Sequence, residues 1–278
     1  MTALAKIPLA GVMGHPVAHS KSPQLFRHWL DSNGLAGHYV PLHVSPDAFE
    51  TTLRAMPGMG FVGANVTIPH KQRAMELANH VTERATRIGA ANTLTFQQNG
   101  EIHADNTDGF GFLENLRQNA PHWRPEGGAA VVLGAGGAAR AVLVSLLDAG
   151  VPRIILANRT RSRADDLAQS FGPAIEVIDW ADFAEALPEG VSVINTTSLG
   201  MSGKAPLTLD LSGLHKDQVV TDLVYSPLET DLLRAASKAG CHTVDGLGML
   251  LYQAVPGFER WFGVTPVVTP QTRKAVLA

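Results

Sequence analysis

Cysteine is almost missing from this 278-residue chain, where Cys241 stands alone. An intramolecular disulfide and a multi-cysteine metal centre are therefore excluded, and Cys241 reads as a small, partly buried thiol near a turn. Charge is sparse as well. Charged residues make up 17%, the formal net charge is -3, and basic residues such as Lys21 and Lys71 stand singly. That is not the electrostatic footprint of a nucleic-acid binder. No uninterrupted apolar stretch approaches the ~18 residues of a membrane span. The run from Ile7 to Met13, preceded by Lys6, is too short and too weakly flanked for a secretory signal. The cytoplasm is the expected compartment, with neither nucleic acid nor membrane as partner and a monomer or homodimer as the assembly. The eleven histidines lack metal-ligand spacing: His15 and His19 are four apart, but Pro16 between them argues against a helix presenting both. No metal is expected.

What the chain does have is an alternation of strand-like and helix-like segments, the α/β pattern. Ile7 to Met13 reads as a buried strand ended by Gly14 and Pro16, and Ser22-Pro23 opens a helix that Asn33-Gly34 stops. His38 to Val44 and Gly60 to Thr67 read as strands, and a helix follows Ile68-Pro69. Thr93 to Phe96 and Glu101 to Ala104 form a hairpin, and a helix runs from Asp108 to Asn119. The Pro- and Gly-rich stretch from Ala120 to Gly128 is a surface connection. From Ala129 a second βαβ series begins, with strands at 131–133, 154–156, 191–196 and 219–223. Met249 to Phe262 has helical character beyond that series.

Two constellations carry chemistry. The first is Asn65-Val66-Thr67-Ile68-Pro69-His70-Lys71 together with Asn92-Thr93 and Asn106-Thr107-Asp108. A phosphate site wants several cations, and a metal site wants clustered His, Cys or carboxylates. Amides and hydroxyls beside one ammonium and one carboxylate suit a small polyhydroxylated molecule deprotonated at one oxygen. Lys71 falls at the start of a helix, where the dipole disfavours an ammonium. That suits a group exchanging a proton near neutral pH; a solvated helix lysine is the alternative. Ser20 and Ser22 either donate to a carboxylate or cap the helix that follows. Asn65, Asn92 and Thr67 are similarly ambiguous, and Gln253 either faces inward from an apolar helix or lies on the surface.

The second is Gly134-Ala135-Gly136-Gly137-Ala138-Ala139, a G-x-G-x-x-A fingerprint between a buried strand and an Ala-rich helix. Gly134 permits the tight turn, Gly136 lets backbone approach a pyrophosphate, and the helix N-terminus offers free N–H groups. An NAD enzyme usually has Asp or Glu at the end of the next strand. Here Asn158-Arg159-Thr160 stands there, with Arg163 a turn later. Both arginines would attract a 2'-phosphate, so NADP is the expected cofactor.

With these segments in hand, the chain resembles the shikimate dehydrogenases over almost its whole length. The matching segments are Gly14-His15-Pro16, His19 to Pro23, Asn65 to Lys71, Gly89 to Thr93, Asn106 to Gly109, Gly134 to Arg140 and Asn158 to Thr160. Asn195 to Met201, Asp222 to Pro227, and Asp245 to Leu250 with Gln253 complete the series. The resemblance implies an N-terminal α/β substrate domain (1–107), a Rossmann-type NADP-binding domain (108–245) and a C-terminal helical segment (246–278) returning to the first. It implies NADP-dependent, reversible reduction of 3-dehydroshikimate to shikimate in aromatic amino-acid biosynthesis. By motif position it makes Ser20 and Ser22, with Tyr225 nearby, the substrate carboxylate ligands. Asn65, Thr67, Lys71, Asn92, Asp108 and Gln253 become ligands of the ring hydroxyls, with Lys71 and Asp108 the catalytic pair. Gly134, Ala135, Gly136, Gly137, Ala138, Asn158, Arg159, Thr160 and Arg163 become NADP contacts. Thr197, Leu223 and Gly246 line the nicotinamide side, and Glu83 is a further residue near the cofactor. Two rival readings stay open: a quinate/shikimate dehydrogenase using NAD, and a non-catalytic sensor of shikimate or NADP.

Overall fold

The computed structural model describes residues 7–278, which form two compact units. One contains residues up to Thr107 together with Gln253–Ala278, and the other is Asp108–Tyr252. In the first unit β1 (Leu9–Gly14), α1 (Ser22–Ser32), β2 (His38–His43), α2 (Phe49–Ala55), β3 (Phe61–Val66), α3 (Lys71–Leu77), β4 (His80–Val81), α4 (Glu83–Ile88), β5 (Thr93–Phe96) and β6 (Ile102–Asp105) succeed one another. The second continues with α5 (Asp108–Asn119), β7 (Ala129–Leu133), α6 (Gly137–Asp148), β8 (Ile154–Ala157), α7 (Arg161–Phe171), β9 (Ile175–Ile178) and α8 (Phe183–Ala186). It ends with β10 (Gly190–Asn195), β11 (Val219–Asp222), α9 (Asp231–Lys238) and β12 (His242–Val244). Helix α10 (Leu247–Phe262) passes from the second unit into the first, where α11 (Pro270–Leu277) closes the chain.

The first sheet has the order β2-β1-β3-β5-β6-β4. Its first three strands are parallel, while β5 is antiparallel to β3 and, through the 93–105 hairpin, to β6. Met13, Phe49, Leu53, Val66, Ala74 and Leu94 belong to its core. The C-terminal part of α10 covers part of this unit. Trp261 Nε1 donates to the Leu94 carbonyl at 3.1 Å, and Phe258, Trp261 and Phe262 gather around Phe26 of α1. Gly63 makes that approach possible, since a Cβ there would lie 1.9 Å from the Trp261 indole nitrogen.

The second sheet is wholly parallel, in the order β12-β11-β10-β7-β8-β9. This is the doubly wound order, reversing direction between β7 and β10. Along β7, Ala130 and Val132 join one core while Ala129, Val131 and Leu133 join the other. The two-residue side-chain period of a strand thus feeds two helical layers, and a strand buried on both faces reads as a continuous apolar run.

Helix α10 is divided between the two units. Leu247 to Tyr252 stay with the second unit, and the return to the first begins at Gln253. The first turns of α10 are anchored locally: Leu247 N–H donates to Asp245 Oδ1 at 3.0 Å, and Gly248 lies against Asn115 so closely that a Cβ would come within 1.7 Å of its amide oxygen.

Candidate active site

Within the first constellation, Asn65, Asn92, Thr93 and Thr107 converge in the first unit, while Asp108 begins the second. Asn65 is buried near the end of β3. Its Nδ2 donates to the Asn92 carbonyl at 3.1 Å and to Thr93 Oγ1 at 3.3 Å, and its Oδ1 accepts from the Tyr39 hydroxyl at 2.7 Å. Asn92 is buried too. Its Nδ2 donates to Gln253 Oε1 at 3.1 Å, and its Oδ1 accepts from the Thr107 N–H at 2.8 Å. The Thr107 hydroxyl donates to the Gln253 carbonyl at 2.8 Å. Gln253 therefore faces inward and belongs to the network. A web of this kind fixes side-chain orientations, because buried polar groups are costly unless partnered.

Thr67 follows β3 directly. Its N–H donates to the Met13 carbonyl at 2.9 Å, and its methyl lies against Gly14, where a Cβ would sit 2.5 Å away. Lys71 is the first residue of α3 and half-buried. The residue before it holds that helix start in place: His70 is buried, its Nε2 lies 2.7 Å from the Val44 carbonyl, and its ring stacks on Phe49 at 4.3 Å. Burial pushes the His70 imidazole below its usual range, so its neutral form donates to that carbonyl. Ser22 is buried at the first position of α1, and its N–H donates to Ser20 Oγ at 3.3 Å. Lys21 occupies the N-cap position and its side chain makes no capping bond, so Ser20 Oγ is what takes the first free N–H of the helix. A local role at the helix start thus remains for Ser20.

Tyr39 was not singled out from sequence. Its ring stacks on Phe26 at 3.8 Å, and its hydroxyl contacts Ser22 as well as Asn65. Burial raises its pKa well above the ordinary tyrosine value, so it stays a neutral donor. It joins the serine end of the site to the asparagine end. Lying in a strand with alternating exposure, it carried no motif to mark it.

The second unit presents the nucleotide elements. Gly134 follows β7 directly at φ +104°, and a Cβ there would meet Thr196 Oγ1 at 2.5 Å. Asn158 Oδ1 accepts from the Ala135 N–H at 3.2 Å, tying the glycine loop to the end of β8. Gly136 caps α6 and Gly137 begins it; a Cβ at either meets open space. Open space before the N-terminus of a twelve-residue helix, at the switch point of the sheet, fits a pyrophosphate. Ala138 follows in the first turn, and Ala139 is fully buried. Thr160 precedes α7 and is exposed. Arg161 is engaged, its Nη1 donating to Asp179 Oδ1 at 2.8 Å and its Nη2 to the Val177 carbonyl. Arg159 and Arg163 are exposed, and no side-chain hydrogen bond or ion pair among the described residues engages either guanidinium. These two cations are available to a 2'-phosphate. The residues present therefore fit NADP.

Across the switch point, Asn195 Oδ1 accepts from the Thr197 N–H at 3.0 Å and hydroxyl at 2.7 Å, while Asn195 Nδ2 donates to Asp222 Oδ1 at 2.9 Å. Asp222 also accepts from the Val224 N–H and the Thr230 hydroxyl. Burial pushes its carboxyl up to about 6 against those three donors, leaving it mostly ionised at neutral pH. Leu223 and Gly246 touch through backbone: a Cβ on Gly246 would lie 2.4 Å from the Leu223 carbonyl oxygen. Tyr225 is half-buried two residues beyond Leu223, and burial raises its phenol. Asp108 is buried at the start of α5, where the helix dipole favours a carboxylate. Glu83 stands apart from the other expected cofactor residues, exposed in the first turn of α4 in the first unit.

Alanine at Gly134 combines a disfavoured φ with an overlap on Thr196. Strain of about 1–3 kcal/mol is expected, enough to weaken NADP binding by roughly tenfold or more. Isothermal titration of NADP into Gly134→Ala measures it, and affinity equal to the parent would show that the loop tolerates a side chain.

Family models match three stretches of the chain. The shikimate dehydrogenase substrate-binding domain covers residues 12–94, the shikimate/quinate 5-dehydrogenase family covers 118–201, and the shikimate 5'-dehydrogenase C-terminal domain covers 246–277. Among curated relatives, a shikimate dehydrogenase (NADP(+)) of Roseobacter denitrificans is 62% identical over 274 residues, 99% of each chain. Among solved structures, shikimate 5-dehydrogenase of Thermus thermophilus in complex with NADP(H) and shikimate superposes with a TM-score of 0.87 at 34% identity, covering 98% of this chain and 99% of the other. Quinate dehydrogenase of Corynebacterium glutamicum in complex with NAD gives 0.90 at 32% identity, over 98% and 99%. Similarity of this extent means that the chain belongs to the shikimate dehydrogenase family.

Proposed function

We propose that this chain reversibly reduces 3-dehydroshikimate to shikimate with NADPH, a step of the shikimate pathway. The observation that carries the reading is the linked set Asn65, Asn92, Thr107 and Gln253, buried and mutually oriented beside the Lys71 helix start. Such a set recognises several hydroxyls on one small ring while leaving one ammonium to act on one oxygen.

Ser20 and Ser22 hold the substrate carboxylate by hydroxyl donation, with Tyr225 as a further ligand. Asn65, Thr67, Asn92 and Gln253 orient the ring hydroxyls. NADPH, when bound, supplies the hydride to the ring ketone. Lys71 gives a proton to the oxygen of that ketone as it becomes an alcohol, and takes it back in the reverse direction. Asp108 is the second member of the catalytic pair, a carboxylate favoured at its helix start. Gly134 to Ala138 cradle the pyrophosphate, Asn158 to Arg163 hold the adenosine end, and Thr197, Leu223 and Gly246 flank the nicotinamide. Glu83 is assigned to the cofactor side, and as a first-turn acid of α4 it is also favoured by the helix dipole. The cytoplasm suits a biosynthetic enzyme with these small-molecule partners.

Purified protein given 3-dehydroshikimate and NADPH should form shikimate, seen by chromatography, with equimolar loss of NADPH absorbance. Absence of shikimate at micromolar enzyme sinks the reading. The quinate dehydrogenase with NAD supports a second reading, quinate oxidation with NAD. The two unengaged arginines weigh against it. Arg159→Ala should raise the KM for NADP by about tenfold, a modest value because the guanidinium is exposed, and leave that for NAD nearly unchanged. Equal changes for the two cofactors would remove the 2'-phosphate argument.

A further inference from the structure

The histidines lack metal-ligand spacing along the chain, but two of them meet in space at the edge of the first sheet. His80 on β4 pairs directly with His103 on β6, and the two strands run parallel. Glu101 precedes His103 by two residues on an extended segment, which puts both side chains on one face. Three potential ligands therefore meet: His80 Nε2 lies 3.7 Å and His103 Nε2 3.9 Å from Glu101 Oε2, and the donor atoms all fall within 4.8 Å of one another. The imidazoles are edge to face at 4.5 Å. One of the three donors is also short of a partner: His103 Nε2 is itself shielded from solvent and makes no hydrogen bond, its contact with Glu101 being at 3.9 Å.

We propose that His80, Glu101 and His103 form a binding site for a divalent transition-metal ion of the zinc class. Two imidazoles and one carboxylate match the ligand preference of zinc, nickel or copper rather than magnesium or calcium. Around a tetrahedral ion at about 2.0–2.2 Å from each ligand, donor atoms stand roughly 3.3 Å apart. Contraction from 3.7–4.8 Å is within reach of side-chain rotation, since His80 is mostly exposed. Water completes the fourth position. The ion gives the orphaned His103 nitrogen a partner and links the two-residue strand β4 to β6.

The probe is Zn2+ alone, titrated calorimetrically into full-length protein first stripped with a chelator, with Co2+ absorption as a report on coordination. One ion per chain should bind with micromolar or better affinity and raise the melting temperature, as a ligand specific to the folded state must. His103→Ala and the exposed variant His80→Asn should each weaken binding at least tenfold and abolish that rise. His122→Ala, in the unrelated His122–His242 pair, should leave both unchanged. Failure of Zn2+ to bind below millimolar concentration overturns the proposal. So does binding of parental strength in either His103→Ala or His80→Asn. A melting temperature of the metal-free variants equal to the metal-free parent shows that lost binding is not lost folding.

Discussion

Lys71→Ala is expected to lower kcat by about two to four orders of magnitude, the range contributed by a positioned general acid or base. NADP affinity should stay unchanged, because Lys71 lies in the first unit and the glycine loop in the second. The removed group sits at a helix start pinned by His70, so truncation leaves the surrounding backbone its anchors. Lys71→Arg should not restore turnover. A guanidinium stays charged at all accessible pH and cannot pass a proton. Steady-state kinetics paired with fluorescence titration of NADPH makes the comparison. Turnover of Lys71→Ala within fivefold of the parent would remove the proton-transfer role; a large rise in KM at constant kcat would make Lys71 a uniform binding group.

Asp105→Ala should destabilise the first unit by about 3 kcal/mol. Asp105 ends β6 and is buried. Its carboxylate accepts from Thr82 at 2.8 Å, from Arg84 through both oxygens, and from Arg260 on α10 at 2.6 Å. One side chain thereby ties α4 and α10 to the strand that leads into Asn106 and Thr107. Losing one member of a buried charge set costs about 3–5 kcal/mol; the lower end applies because both guanidiniums reach solvent. The pH dependence follows in sign. Burial alone would raise the Asp105 carboxyl, but the hydrogen bonds from Arg84, Arg260 and Thr82 outweigh it and hold it well below the carboxylate range. Its contribution is present above the unfolded carboxylate pKa and is lost as pH falls toward the depressed folded value. Urea midpoints should therefore converge for Asp105→Ala and parent in strong acid and separate at neutral pH. Equal midpoints at pH 7 would show that the cluster contributes nothing net.

Much of the site could be read without coordinates because it rests on local patterns. The glycine loop is bracketed by a buried strand and a helix, and Asn65 to Lys71 spans a strand end and a helix start, so backbone context alone fixes those positions. What stayed hidden depends on long-range pairing. Tyr39 acquires its place from contacts with Ser22 and Asn65, and Asp105 from arginines 21 and 155 residues away. Strand β4 has only two residues and no period to detect, so the meeting of His80 with His103 could not be foreseen. Helix α7 went unread because its sequence is largely polar, with Ala164 and Leu167 its buried residues. The division of α10 was invisible for a related reason: one continuous helix carries the chain from one unit to the other, with no composition break at Gln253.

The most direct test is a comparison of kcat/KM for the four pairings of shikimate or quinate with NADP or NAD, followed by nicotinamide absorbance. Shikimate with NADP should exceed every other pairing by at least tenfold, with the two arginine side chains at the end of β8 setting the cofactor preference. Quinate with NAD turning over as fast as shikimate with NADP would contradict the cofactor and substrate assignments together. No turnover in any pairing, with NADP still bound, would leave a sensor in place of an enzyme.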